Sequence, residues 1–258
     1  MPRIISPDEL KNAKRFGTFA PVYQIDDRTV VKTGESVALT EAETMAFARQ
    51  HTTIPVPDVH NAYTDETSGY ACIVMDFVPG RTLDEAWPTY TEADKDAVLA
   101  QLRGYLAELR AHRGDFVGGL GRTPCNDPLF DNEKNGYGPF ADEAAFNQGV
   151  VRALRNARPG QDWVELYCDV FEDVMQGHDI VLTHGDLDPR NILVQGAQVV
   201  ALLDWEMAGY YPAYWEYCKA MRRPRWESGW VKDRAVDRIL PPWRKELSVI
   251  WNLNEVIW

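Results

Sequence analysis

The run His184-Gly185-Asp186-Leu187-Asp188-Pro189-Arg190-Asn191, followed by Leu202-Leu203-Asp204-Trp205-Glu206, sets an Asp, an Asn five residues on, and a second Asp eighteen residues after the first. These types at this spacing suit phosphoryl transfer from ATP. Asp186 would accept the proton of an attacking hydroxyl, while Asn191 and Asp204 would hold the Mg²⁺ that neutralises the phosphates. Magnesium prefers oxygen ligands and keeps waters and phosphate oxygens around it, so one carboxylate and one amide are enough. Alone, an Asp after a Gly reads as a turn cap. Three such residues, with apolar runs of strand length on either side, read as a site. His184 has the residue type of a general base, but at a strand end two residues before Asp186 it is read as holding the loop.

A phosphate-binding site of this kind also needs a cation. Lys32 closes the run Thr29-Val30-Val31 and, as a compact ammonium with three donors, suits the α- and β-phosphates of ATP. An acidic side chain from the next helix would orient it. Glu41 and Glu43 are the candidates, and Glu41 is preferred because it lies one turn before Met45. Met75-Asp76-Phe77-Val78 precedes Pro79-Gly80. Extended backbone at Met75, Asp76 and Val78 would offer its polar groups to the edge of adenine in an apolar cleft.

The elements that must position these residues follow from the pattern. Residues 21–25 and 28–32 read as short strands around Asp26-Asp27. Residues 40–50 read as a helix with Thr40 as N-cap and Glu41 and Glu43 in its first turn. Residues 70–75 are a continuous apolar run of strand length. Thr91 opens a long amphipathic helix that Gly114 closes. Residues 115–141, including Gly118-Gly119-Leu120-Gly121, read as a loop ordered by Phe116, Phe130, Tyr137 and Phe140. Helices are expected over 142–157 and 162–175, and strands over 180–183, 192–194 and 199–203, the last two joined by a turn at 195–198. The remainder reads as helix broken at Pro224 and Pro241-Pro242. The expected architecture is α+β: a small antiparallel sheet domain over 1–78, a hinge, and a larger helical domain over 79–258.

Composition narrows the partners. With 258 residues, 45% hydrophobic and 26% charged, the chain has the make-up of a globular protein with a sizeable core. Its net charge of −12 disfavours nucleic acid and anionic membranes as partners. The charge is uneven: between Lys219 and Lys245 stand nine Lys/Arg and three Asp/Glu, a local +6, leaving −18 elsewhere. A solvated helical face is the plainer reading of that segment, a phosphate- or partner-binding patch the sharper one. The four cysteines are widely spaced and form no CxxC pair. Residues 1–8 contain no apolar leader, and no stretch approaches 18 apolar residues, so a cytoplasmic, reduced protein is expected. No GxxxxGK[ST], GxSxG or HExxH occurs, which removes P-loop, hydrolase and zinc-protease readings.

HGDLDPRN followed by LLDWE resembles the aminoglycoside phosphotransferase and choline kinase group of protein-kinase-like small-molecule kinases. The segments VVKTG (30–34), EAETMAFARQHTTIPVPDV (41–59), MDFVPGRTLDEAW (75–87), GPF (138–140) and GYYPAYWEYCKAM (209–221) resemble its fungal branch. The resemblance implies a bilobal kinase fold, ATP between the lobes, and phosphate transfer to a hydroxyl of a small molecule. It also implies that Lys32 holds phosphates, Glu41 pairs with it, Asp186 is the base, and Asn191 and Asp204 bind Mg²⁺. The loop reads HGD and not HRD, and no Ala-Pro-Glu follows, so a protein substrate is not expected. Asp188, Arg190, Glu206 and Trp215 are the candidate acceptor-side residues. The segment 16–21, where a glycine-rich phosphate loop should lie, holds one Gly. Fewer glycines leave fewer free amides for phosphate, so a catalytically weak nucleotide-binding protein is the alternative reading.

Overall fold

The protein is described by a computed structural model covering residues 3–17, 21–130 and 137–257, with side chains to residue 253. Half of the 16–21 segment expected to carry the phosphate loop, residues 18–20, lies outside the described residues.

Ser6 and Glu9 form a capping box on a short helix, α1 (Pro7–Asn12). Five antiparallel strands follow: β1 (Lys14–Phe16), β2 (Val22–Gln24), β3 (Thr29–Gly34), β4 (Val59–Thr64) and β5 (Ala71–Asp76), in the order β1-β2-β3-β5-β4. β3 and β5 are the most buried strands, and β5 is apolar along most of its length, which is why it reads as a continuous hydrophobic run. Their register sets Lys32 opposite Ile73 and Thr29 opposite Asp76. Helix α2 (Leu39–His51) crosses between β3 and β4.

Helix α2 starts one residue before the expected cap. Ala38 is the N-cap, with no side-chain hydrogen bond. Thr40 lies in the first turn, and its carbonyl accepts the Thr44 hydroxyl. β1 and β4 were not anticipated. β1 has three residues, and β4 alternates half-buried and exposed side chains, so neither carries the apolar run that marks a central strand.

The C-terminal part begins with β6 (Arg81–Thr82) and α3 (Leu83–Ala86). Helix α4 (Glu92–Ala111) is capped by Thr91, with Asp94 completing the box. The segment expected to be loop contains β7 (Gly118–Gly119). Helices α5 (Glu143–Ala157), N-capped by Asp142, and α6 (Asp162–Val174) follow. β8 (Ile180–Thr183), β9 (Ile192–Gln195), β10 (Gln198–Leu202) and β11 (Gly209–Pro212) complete two small sheets, β10-β9-β6 and β7-β11-β8. β11 corrects the helical expectation after Asp204. Gly209 lets this strand approach β7 so closely that a Cβ there would meet the Gly118 carbonyl oxygen at 2.6 Å. Helices α7 (Trp215–Arg222), α8 (Gly229–Lys232), α9 (Ala235–Ile239) and α10 (Arg244–Ile257) close the chain.

One apolar core runs from Val30, Met45 and Met75 beneath the N-terminal sheet to Leu253 in α10. The backbone also links the two parts, Leu202 donating its N–H to the Pro55 carbonyl at 2.8 Å. Trp87, Trp205, Trp215 and Trp230 are among the largest fully buried side chains. All four cysteines are buried and free. Among the described residues, no helix is long and apolar enough to cross a membrane.

Candidate active site

Lys32 gathers the site from residues far apart in sequence. Its Nζ lies 2.8 Å from a Glu41 carboxylate oxygen, 2.6 Å from Asp204 Oδ1 and 3.1 Å from Glu206 Oε2. β3 delivers the lysine from the sheet and the first turn of α2 delivers Glu41. Glu43, two residues on, is exposed. Asp204 arrives from the opposite side. β10 ends at Leu202, Leu203 donates to the Asn191 carbonyl, and Asp204 turns the chain with φ +65°. A non-glycine residue tolerates this left-handed conformation most readily when it is Asp or Asn.

The electrostatics follow from burial and charge count. Burial by itself would lower the Lys32 pKa, but Glu41, Asp204 and Glu206 overrule it and hold it above the ordinary lysine range. Burial pushes the Glu41 carboxyl up to about 7, against the pull of Lys32. Three carboxylates face one ammonium, a surplus of negative charge that a divalent cation would relieve. Carboxylate oxygens of Glu41, Asp204 and Glu206 lie within 4.8 Å of one another.

The loop after β8 carries the other half. Gly185 has φ +82°, and a Cβ on it would meet the Met207 carbonyl oxygen at 2.6 Å, so this position requires glycine. His184 is buried: its Nε2 lies 3.0 Å from the Leu203 carbonyl, and its Nδ1 accepts the Asp186 N–H. Burial lowers its pKa, so the neutral ring holds the loop to the end of β10. Asn191 donates from Nδ2 to the Asp186 carbonyl and to Asp186 Oδ2, both at 3.0 Å, so its Oδ1 could serve a cation. Asp186 Oδ1 pairs with Arg223 Nε at 2.7 Å yet accepts no hydrogen bond. Burial raises the Asp186 pKa and Arg223 opposes the rise.

A cavity of about 600 Å³ opens between the two parts. Its walls include Lys32, Glu41, Met75, Asn191 and Asp204, with Phe16, Val30 and Leu193 supplying apolar surface. The backbone from Met75 to Val78 forms one edge. There the N–H groups of Asp76 and Phe77 are engaged by the carbonyls of Asp58 and Arg28.

The model of the phosphotransferase enzyme family matches residues 17–247. The chain belongs to that family. Its fold is protein-kinase-like and is shared with solved aminoglycoside phosphotransferases. With the streptomycin–ATP ternary complex of APH(2″)-IIa it aligns over 99% of this chain and 91% of that one, at 12% identity and a TM-score of 0.65. With the apo form of a thermostable mutant of APH(4)-Ia the figures are 95% and 87%, 14% and 0.63. With the GDP and kanamycin complex of APH(2″)-IIIa they are 96% and 84%, 13% and 0.63. No curated protein sequence matches the chain.

Within this phosphotransferase, three of the four residues first considered for the acceptor side have other duties. Trp215 is 2% exposed and stacks on Tyr211 with ring centroids 5.4 Å apart. It is a core residue, because the first turn of α7 is buried. Asp188 is equally buried and caps the turn that follows, accepting the Arg190 N–H at 2.9 Å and pairing with its guanidinium at 2.7 Å. Glu206 lies against Lys32, its Oε2 3.1 Å from the Nζ. Arg190 is the exception, reaching the wall of the main cavity.

Sequence reading passed over Glu216. This fully buried carboxylate on α7 accepts the N–H of His184 at 2.6 Å and of Gly185 at 3.2 Å, which pins the loop that carries Asp186. The one available signal was an acid between two aromatic residues, Trp215 and Tyr217, in the first turn of α7. Arg223 was not singled out, because it lies thirty-seven residues beyond Asp186 within the basic 219–245 stretch whose plainer reading is a solvated helical face.

Proposed function

We propose that this phosphotransferase moves the γ-phosphate of ATP to a hydroxyl of a small molecule, with Asp186 as the base. The observation that carries the reading is the meeting at Lys32 of Glu41, nine residues away, and Asp204, 172 residues away, at the edge of the cavity that also holds Asn191. Lys32 is read as the phosphate ligand, kept extended by Glu41. At the hinge, Val78 is the residue whose N–H, among the described residues, is not engaged by a backbone carbonyl, and we assign it, with the Met75–Asp76 backbone, to the adenine edge. The lobes divide after Val78.

The donor set suits Mg²⁺. Asn191 Oδ1 and the Asp204 carboxylate are hard oxygen ligands beside surplus negative charge. When bound there, Mg²⁺ would neutralise phosphate charge. The Asp186 carboxylate, which holds Arg223 through Oδ1 and accepts from Asn191 through Oδ2, would take the acceptor's proton. The acceptor oxygen then bonds to phosphorus as the bond to the ADP oxygen breaks, and the proton ends on Asp186. Positioning and electrostatics supply most of the rate in such a reaction. The placing of the chain in the fungal branch rests on the sequence segments alone.

Asp186→Asn tests the base. Turnover of ATP should fall by at least about a hundredfold, while a thermal shift with Mg-ATP persists. Undiminished turnover in the variant overturns the assignment. A thermal shift with Mg-ATP but no phosphate transfer by the unaltered protein to any of a panel of hydroxyl acceptors would favour the inert nucleotide-binding alternative.

A further inference from the structure

A second cavity, of about 380 Å³, adjoins the proposed catalytic loop, and its walls include Arg190, Lys219, Arg222, Arg223 and, among the described residues, one acid, Asp127. Arg190 also lines the main cavity, so the two spaces share a wall. Arg223 joins this second cavity to Asp186 through their 2.7 Å ion pair. From this we infer that the hydroxyl acceptor carries a negatively charged group, a carboxylate or a phosphate ester, seated on these cations. The inference rests on the phosphotransfer reading and narrows its substrate class.

The arrangement of charge decides the sign. Each resident acid lies behind its cation. Asp127, Asp188 and Asp186 are 3%, 2% and 9% exposed. The side chains of Arg190 and Arg223, paired with the last two, are 58% and 33% exposed. A molecule entering this space therefore meets guanidinium groups before carboxylates. A guanidinium has five N–H donors in a planar fork suited to carboxylate and phosphate oxygens. Asp188 engages the Nε and one Nη of Arg190, which leaves donors directed elsewhere.

Helix geometry builds the patch. Lys219, Arg222 and Arg223 stand at i, i+3 and i+4 on α7, and Arg223 continues the helical backbone as its C-cap. The helix dipole explains cations in a last turn. It does not explain their convergence with Arg190, which comes from the catalytic loop. Across a chain of net charge −12, a cationic recess of this kind focuses anions. A polyamine sugar or a quaternary ammonium acceptor would bring like charge against like.

The test fills the nucleotide cleft first. With Mg-AMP-PNP bound to the full chain, inorganic phosphate, glycerate, glycerol 3-phosphate, glycerol, kanamycin and choline are titrated by calorimetry. Phosphate and at least one of the two charged glycerol derivatives should bind about tenfold or more tightly than glycerol, and kanamycin and choline should not bind. Glycerate against glycerol 3-phosphate separates a carboxylate from a phosphate ester. Arg222→Glu should weaken phosphate binding by about tenfold or more. Arg190→Gln serves where that variant does not fold. Binding of kanamycin or choline beside the nucleotide, or no millimolar phosphate binding, overturns the anionic acceptor alone. Failure of Mg-AMP-PNP to bind overturns the phosphotransfer reading beneath it.

Discussion

Glu216→Ala should loosen the catalytic loop without touching the nucleotide. The carboxylate is fully buried and accepts two backbone N–H groups, those of His184 and Gly185. Alanine leaves both donors in the interior without a partner, at about 1–3 kcal/mol each, or about 2–6 kcal/mol together. Part of this returns, because a buried carboxylate carries a desolvation cost of its own; burial raises the Glu216 pKa. A net loss of about 3 kcal/mol is expected, which for a chain of this size lowers Tm by about 6–12 °C. Glu216→Gln keeps one acceptor oxygen and should lose about half as much. The assay pairs a thermal melt with hydrogen exchange across residues 183–188, where the His184 and Gly185 amides should lose protection. Mg-ATP should still bind, because Lys32 and Asp204 keep their places. A loss below about 0.5 kcal/mol, with exchange at these amides unchanged, would refute the pinning role of Glu216.

Other outcomes follow from the same contacts. Arg223→Gln removes the cation that holds the Asp186 pKa down against burial. The acid limb of ATP turnover against pH should move up; a limb that stays or moves down contradicts the pairing. Lys32→Met strips the buried Glu41 of its partner and should cost about 3–5 kcal/mol. A carboxyl whose folded pKa is raised from 4.5 to about 7 binds its proton in the native state, so its contribution to stability falls as pH rises through that window. The Tm deficit of Lys32→Met should therefore be larger at pH 8 than at pH 6, and equal deficits would show that Glu41 is not the group left unpaired. Gly185→Ala forces a side chain against the Met207 carbonyl at a positive φ, and should lower both Tm and ATP turnover by more than Gly104→Ala, where a Cβ would meet nothing within 4 Å.

The residues of the proposed catalytic loop stood out in the chain because their placement is local. Asp186, Asn191 and Asp204 sit at the ends of short apolar strands, and a strand followed by a tight loop places polar side chains at its tip whatever the rest of the molecule does. β8, β9, β10 and the capped helices α4 and α5 were readable for the same reason: period and cap chemistry act over a few residues. β11 was not, since its pairing with β8 and β7 depends on strands from elsewhere in the chain.

What the tertiary structure alone decided is which charges meet. Helical spacing to Met45 favours Glu41 over Glu43 but does not pair it; packing buried Glu41 beside Lys32 and left Glu43 in water. Asp188 and Trp215 looked available and were taken by a turn and by the core, while Glu216 and Arg223 looked ordinary and became the partners of the loop that carries Asp186. Charge and residue type are written along the chain. Burial and partner are properties of the folded interior, where a nearby ion acts strongly because little water screens it.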